Sequence, residues 1–167
     1  MKDMTKANLE AAFAGESQAA MKYSIFAEKA EKEGYHETAR LFKAISYAEK
    51  VHAENHLRVL GGIKDTASNL ETAASGENYE VEEMYPAFDS VAIIQDEKAA
   101  VRSFFYAIEA EKIHEVMYKN ALKKVLEKND IQKITVYVCS VCGHTVFDEA
   151  PDKCPICGVS KDKYQKF

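Results

Sequence analysis

The pentapeptide Ala48-Glu49-Lys50-Val51-His52 returns 62 residues later as Ala110-Glu111-Lys112-Ile113-His114, and Phe42 and Phe104 keep the same offset. Self-similarity at one fixed distance marks a duplicated structural unit. Glycine and proline are scarce before residue 130, so each half reads as a pair of helices and the two halves together as a four-helix bundle. The few breakers set the limits. A first helix is predicted from Thr5 to Lys32, stopping at Gly34, and a second from Glu37 to Leu60, ending at Gly61-Gly62. The Asp, Thr, Ser and Asn content of Ile63 to Gly76 predicts a loop. A third helix then begins near Glu77, carrying Pro86 inside it as a kink, and a fourth runs from Asp96 to Lys128 and closes at Asn129-Asp130.

From Ile131 the pattern changes. Ile134-Thr135-Val136-Tyr137-Val138 alternates β-branched and aromatic residues as a short strand does, and turn residues follow. The expected organisation is a helical domain over residues 1–130 and a small β/loop domain over 131–167.

The helical stripes, taken in steps of three and four, carry acid where a core should be apolar. The first reads Leu9, Phe13, Glu16, Ala20, Tyr23, Ala27, Ala30, and the second Phe42, Ile45, Glu49, His52, His56, Val59. The third gives Glu80, Glu83, Ala87, Ser90, Ile94, and the fourth Ala100, Phe104, Ala107, Glu111, His114, Tyr118, Ala121, Val125. An unpaired ionised carboxylate in a core costs on the order of several kcal/mol. The Lys and Arg side chains mostly fall off these stripes, so metal ions are the expected counter-charge. Glu49 with His52, and Glu111 with His114, are spaced so that their Cβ atoms lie roughly 5–6 Å apart on one helix face. One Glu from each of two helices, plus a Glu-x-x-His from each of the other two, is the donor set of ferritin-like di-iron proteins.

The predicted ligands are therefore Glu16, Glu49, His52, Glu111 and His114, with the third helix offering both Glu80 and Glu83, of which the spacing rule needs only one. Carboxylates with one imidazole per metal suit iron or manganese. Two ferrous ions, or two ferric ions with a bridging oxide, leave the same net charge on five glutamates, so a two-electron cycle would change the buried charge little. His56 is expected at the rim. Tyr23, two turns after Glu16, fits either core packing or a hydrogen bond to the site.

All four cysteines lie in the tail, as Cys139-x-x-Cys142-Gly143 and Cys154-x-x-Cys157-Gly158 with eleven residues between Cys142 and Cys154. In a reducing compartment two such knuckles make a tetrahedral four-thiolate site for zinc or a single iron. A fragment of 37 residues has too small a core to fold without it. Zinc would have no task beside a di-iron bundle, whereas one-electron iron has one. Tyr137, Phe147, Tyr164 and Phe167 are candidates to shield the sulfurs.

Charge narrows the partners. Twenty-two basic against 27 acidic residues give a net charge of −5, with no basic run, which argues against nucleic acid and anionic membranes. No stretch is apolar enough for a signal peptide or a membrane span, so a cytoplasmic protein is expected.

Gly15-Glu16-Ser17, Glu49-x-x-His52, Glu80-x-x-Glu83-Met84-Tyr85-Pro86, Glu111-x-x-His114, and the two cysteine knuckles with Asp148-Glu149-Ala150-Pro151 between them together resemble the rubrerythrin family over essentially the whole chain. The resemblance implies a ferritin-like bundle with a rubredoxin-like domain, an oxo-bridged di-iron centre and a mononuclear iron with four Cys. It implies reduction of hydrogen peroxide, with electrons from an external donor such as rubredoxin or an NAD(P)H-dependent reductase, and a homodimer or larger homo-oligomer. It also makes Glu83 a ligand, which spacing alone left open. Glu83 and Tyr23 are the residues expected to serve catalysis directly. Two rival readings remain: a ferritin-like ferroxidase, binding many irons per chain, and a colourless zinc-ribbon interaction module on a helical bundle.

Overall fold

The computed structural model describes Met1–Phe167, which divide into two compact units, Met1–Lys64 and Asp65–Phe167. The first is a helical hairpin of α1 (Asp3–Lys32) and α2 (His36–Val59). Its turn is made by Gly34, whose φ of +83° is open to a residue without Cβ. There the Gly34 amide donates to the Glu31 carbonyl at 3.1 Å and the Tyr35 amide to Ala30 at 2.9 Å, a Schellman closure. Alanines line the contact between the helices: Ala27, Ala30, Ala39 and Ala53 are buried, so the backbones approach closely. The Ser46 hydroxyl donates across the hairpin to the Ala20 carbonyl at 2.7 Å. Tyr23, Phe26 and Phe42 stack as one ring cluster, with centroids 5.8 to 6.3 Å apart.

The second unit opens where a loop was expected. Instead, α3 spans Thr66–Tyr79. Its start is fixed by Asp65, whose carboxylate accepts from the Ser68 amide at 2.8 Å, and its length by packing along the fourth long helix, α5 (Lys98–Leu126). Packing outweighs a polar composition rich in Thr, Ser and Asn. Asp65→Ala is expected to lower stability by about 1 kcal/mol. Urea melts of the two chains check this, and equal midpoints would show the cap to be immaterial.

Between α3 and α4 (Tyr85–Ile94) lies a π-helical turn, Glu80–Met84, in which the Tyr85 amide reaches back five residues to the Glu80 carbonyl. Pro86 follows directly. It has no N–H to give to the preceding turn, and the widened turn takes up the mismatch, so the expected kink becomes a one-residue insertion. Both α4 and α5 end on Schellman closures with Asp96 and Lys128 at positive φ, and α5 stops at Leu126, slightly before the expected limit.

The tail forms an antiparallel sheet in the order β2-β1-β3, from β1 (Val136–Cys139), β2 (Thr145–Phe147) and β3 (Tyr164–Lys166). Val138 faces Thr145 on one side and Gln165 on the other. No helix is long and apolar enough to cross a membrane.

Candidate metal centres

The cysteines converge from the β1–β2 turn and from the loop after Ala150. Cys139, Cys142 and Cys154 are buried, and all four sulfurs lie within 4.8 Å of one another. Cys139 and Cys157 are 3.6 Å apart through sulfur, and Cys142 and Cys154 3.4 Å. Those separations are too long for disulfides, whose S–S bond is about 2.0 Å. They are near the ~3.8 Å edge of a tetrahedron with ~2.3 Å metal–sulfur bonds. Gly143, at φ +79°, lets its amide close the first knuckle onto the Cys139 carbonyl at 2.9 Å.

Burial works against the Cys154 thiolate, yet the Cys157 amide, the Tyr164 hydroxyl and the Ile156 amide all donate to its sulfur and bring the thiol down to about 6. Burial pushes the Cys142 thiol far up. Four thiolates in one buried pocket call for a cation. The Tyr164 oxygen in turn accepts from His144 Nδ1 at 2.7 Å. Of the four expected shielding aromatics, Tyr164 packs on the cysteines, joined by Tyr106 from α5 and by Ile156 and Val159. Phe147 and Phe167 are exposed instead.

Each unit also carries a carboxylate–histidine triad. In the first, Glu16 from α1 meets Glu49 and His52 from α2, with donor atoms mutually within 4.8 Å. His52 Nδ1 lies 2.9 Å from Glu49 Oε2 and 3.9 Å from Glu16 Oε1. In the second, Glu77 from α3 meets Glu111 and His114 from α5 within the same limit, and His114 Nδ1 lies 2.6 Å from Glu111 Oε2. That contact raises the pKa of His114 and lowers that of Glu111. Burial, then the hydrogen bond that the Glu77 carboxyl donates to Glu111, lifts Glu77 to about 7. Burial and the Glu111 charge raise Glu80. Acids gathered this closely around one imidazole have the donor chemistry of an iron or manganese site.

Glu77 is the residue that heptad counting missed. Tyr85, Phe88 and Phe104 form a ring cluster that repeats Tyr23, Phe26 and Phe42 at the 62-residue offset. Seven residues separate Tyr23 from Glu16, but eight separate Tyr85 from Glu77. The π-turn holds the extra one, so Glu77 takes the place in its triad that Glu16 has in the other. The repeat and Pro86, read together, were the available signal. Glu80 and Glu83 stand on the π-turn outside the triad, Glu80 half-buried and Glu83 exposed. Tyr23 sits half-buried in its ring cluster, and His56 is half-buried one turn beyond His52.

Comparison with known proteins agrees with this layout. The family model described as rubrerythrin matches residues 7–122, and that of the rubrerythrin rubredoxin-like domain matches 137–165. Rubrerythrin-2 of Clostridium acetobutylicum is 44% identical, the match covering 98% of this chain and 97% of the relative. Nigerythrin of Nitratidesulfovibrio vulgaris is 34% identical over 98% and 86%. Among solved structures, fully reduced, all-ferrous nigerythrin superposes with a TM-score of 0.58 at 32% identity, covering 98% of this chain and 86% of that one. The fold class is the expected one, all-α and ferritin-like with a small C-terminal rubredoxin-like β/loop domain. The cysteine cluster fits an Fe(Cys)4 site, and the carboxylate–histidine groups fit a di-iron site.

Proposed function

This chain belongs to the rubrerythrin family, and we propose that it is a peroxidase that reduces hydrogen peroxide to water and so defends the cytoplasm against oxidative stress. Residues 1–130 serve as the di-iron domain and 131–167 as the rubredoxin-like electron relay. Glu16, Glu49 and His52 provide donors for one iron, and Glu111, His114 and Glu80 for the other, with Glu83 as a further ligand and Glu77 beside them. Cys139, Cys142, Cys154 and Cys157 hold the single iron. The observation that carries this reading is the pairing, in one small chain, of two like carboxylate–histidine triads with a four-sulfur cluster of tetrahedral dimensions. Neither rival needs both.

Iron held by these residues would supply the electrons and the positive charge that cleavage of the O–O bond needs. The protein supplies the rest. The glutamates and histidines fix the ions on stiff helices. Glu83 and Tyr23 handle the two protons that each peroxide needs, together with two electrons, to leave as two waters. Rubredoxin or an NAD(P)H-dependent reductase is the external donor. Apolar stripes left open, as at Phe26, Ile45 and Phe105, support assembly as a homodimer or larger homo-oligomer.

The test is to reduce the full chain without oxygen and add hydrogen peroxide in measured amounts. One peroxide should be consumed per two electrons, and the red ferric four-thiolate colour should return. Uptake of many irons per chain with dioxygen as oxidant would favour a ferroxidase. A colourless chain with zinc on its cysteines would favour an interaction module.

A further inference from the structure

Three successive turns of α5 meet the cysteine domain. Tyr106 packs against the cysteine cluster, a Cβ built on Gly143 would lie 3.6 Å from that of Ala110, and His114 Nε2 is 2.8 Å from the Thr145 hydroxyl oxygen. The Thr145 hydroxyl donates to the Gly143 carbonyl at 2.9 Å, so its oxygen is left to accept and His114 Nε2–H must be the donor. Thr145 is itself only 8% exposed. Water therefore competes poorly for the Thr145 oxygen, and the Gly143 backbone, which also hydrogen-bonds His114, ties the same ring to the knuckle.

The chain of contacts runs Cys142, Gly143, Thr145, His114, Glu111. At one end Gly143 and Thr145 are positioned by a knuckle whose order depends on metal bound to the sulfurs. At the other, a proton kept on Nε2 leaves Nδ1 of His114 as the nitrogen that faces Glu111 and a metal. Outer hydrogen bonds of this kind set the tautomer and ring angle of a ligating histidine.

On the reading that these residues hold metals, we infer that Thr145 is a positioning residue that couples the two centres: metal on the four cysteines raises metal affinity at the Glu111–His114 site, and the reverse. Coupling between binding sites is reciprocal. Assembly is thereby ordered, since a chain whose cysteines are filled is the better acceptor for the carboxylate-bound metal.

The test uses the full chain freed of metal, under thiol-reducing conditions, with and without one equivalent of zinc, which takes the thiolates. Manganese(II), a hard ion that the thiolates do not favour, is then titrated, and its free-ion electron paramagnetic resonance signal reports binding. In the unaltered chain zinc should tighten manganese binding about tenfold, the lower end of what outer hydrogen bonds contribute. Thr145→Val keeps the shape without the hydroxyl and should shrink the difference that zinc makes, the Gly143 backbone still facing His114, whereas Thr145→Ser should restore it. Manganese affinity in the unaltered chain that ignores zinc overturns the inference, as does a Thr145→Val chain that keeps the full difference. Failure to bind manganese under any condition overturns the assignment of the carboxylate site, and the coupling with it.

Discussion

A Cys142→Ser chain should be colourless where the unaltered protein is red, and turnover with an external reductase should stop. Cys142 is buried and 3.4 Å from Cys154 through sulfur, at the centre of the cluster. Its knuckle also places Gly143 and Thr145 against α5. Even so, the triads are built by α1, α2, α3 and α5 and need no sulfur. When such a chain is reduced chemically, with iron on the carboxylates, it should still oxidise once with peroxide, at a rate within about tenfold of the unaltered chain, the range expected for a lost outer hydrogen bond. Stopped-flow spectra of that single turnover are the check. If the single turnover vanishes along with the colour, the two centres do not have the separate duties proposed for them.

Glu49 and Glu83 should part company. Glu49 is the carboxylate nearest His52, at 2.9 Å, and shares its triad with Glu16 of α1. Glu49→Ala removes a donor from a three-donor group, and affinity for iron there should fall by more than the ~100-fold that loss of outer support alone can cost. Iron per chain should drop accordingly. Glu83 lies on the π-turn outside the triads, exposed. Glu83→Ala should keep its iron and lose about tenfold in peroxide turnover, the low end of a proton-handling contribution. Iron content beside turnover, measured for both variants, decides. Equal loss of iron would make Glu83 a plain ligand, and unchanged turnover would remove it from the site.

The contrast between these two residues also marks where the sequence could be read. Both Glu-x-x-His pairs sit on uninterrupted helices, where 3.6 residues per turn holds throughout, and their mutual geometry follows from spacing alone. The same is true of the cysteine knuckles, whose two-residue gaps and following glycines dictate a local turn. The third helical segment was harder. Thr66, Ser68, Asn69, Thr72, Ser75 and Gly76 have the composition of a loop, and what makes them helical is a wall supplied by α5 some thirty residues later. Glu77 lies one step of three before Glu80, but a stripe begun at Glu80, past the end of the expected loop, leaves it out, while geometry brings it to Glu111. Thr145 was invisible for a different reason. Its role exists only across a contact with His114, 31 residues away in sequence, and nothing local distinguishes it from any strand threonine.

α5 has one further property by virtue of touching both centres: it is a ruler. Tyr106 marks the level of the sulfur cluster and His114 that of the carboxylates, and eight residues of α-helix span about 12 Å along the axis. Helical rise therefore gauges the gap between the centres, and the connecting segment from Glu127 to Thr135 does not. A change of length in that segment leaves the helical register between Tyr106 and His114 untouched. One residue added between Tyr106 and His114 would instead swing the histidine by roughly 100° about the axis and turn it away from its partners. The spacing of the two centres is thus carried by eight helical residues and not by the visible linker.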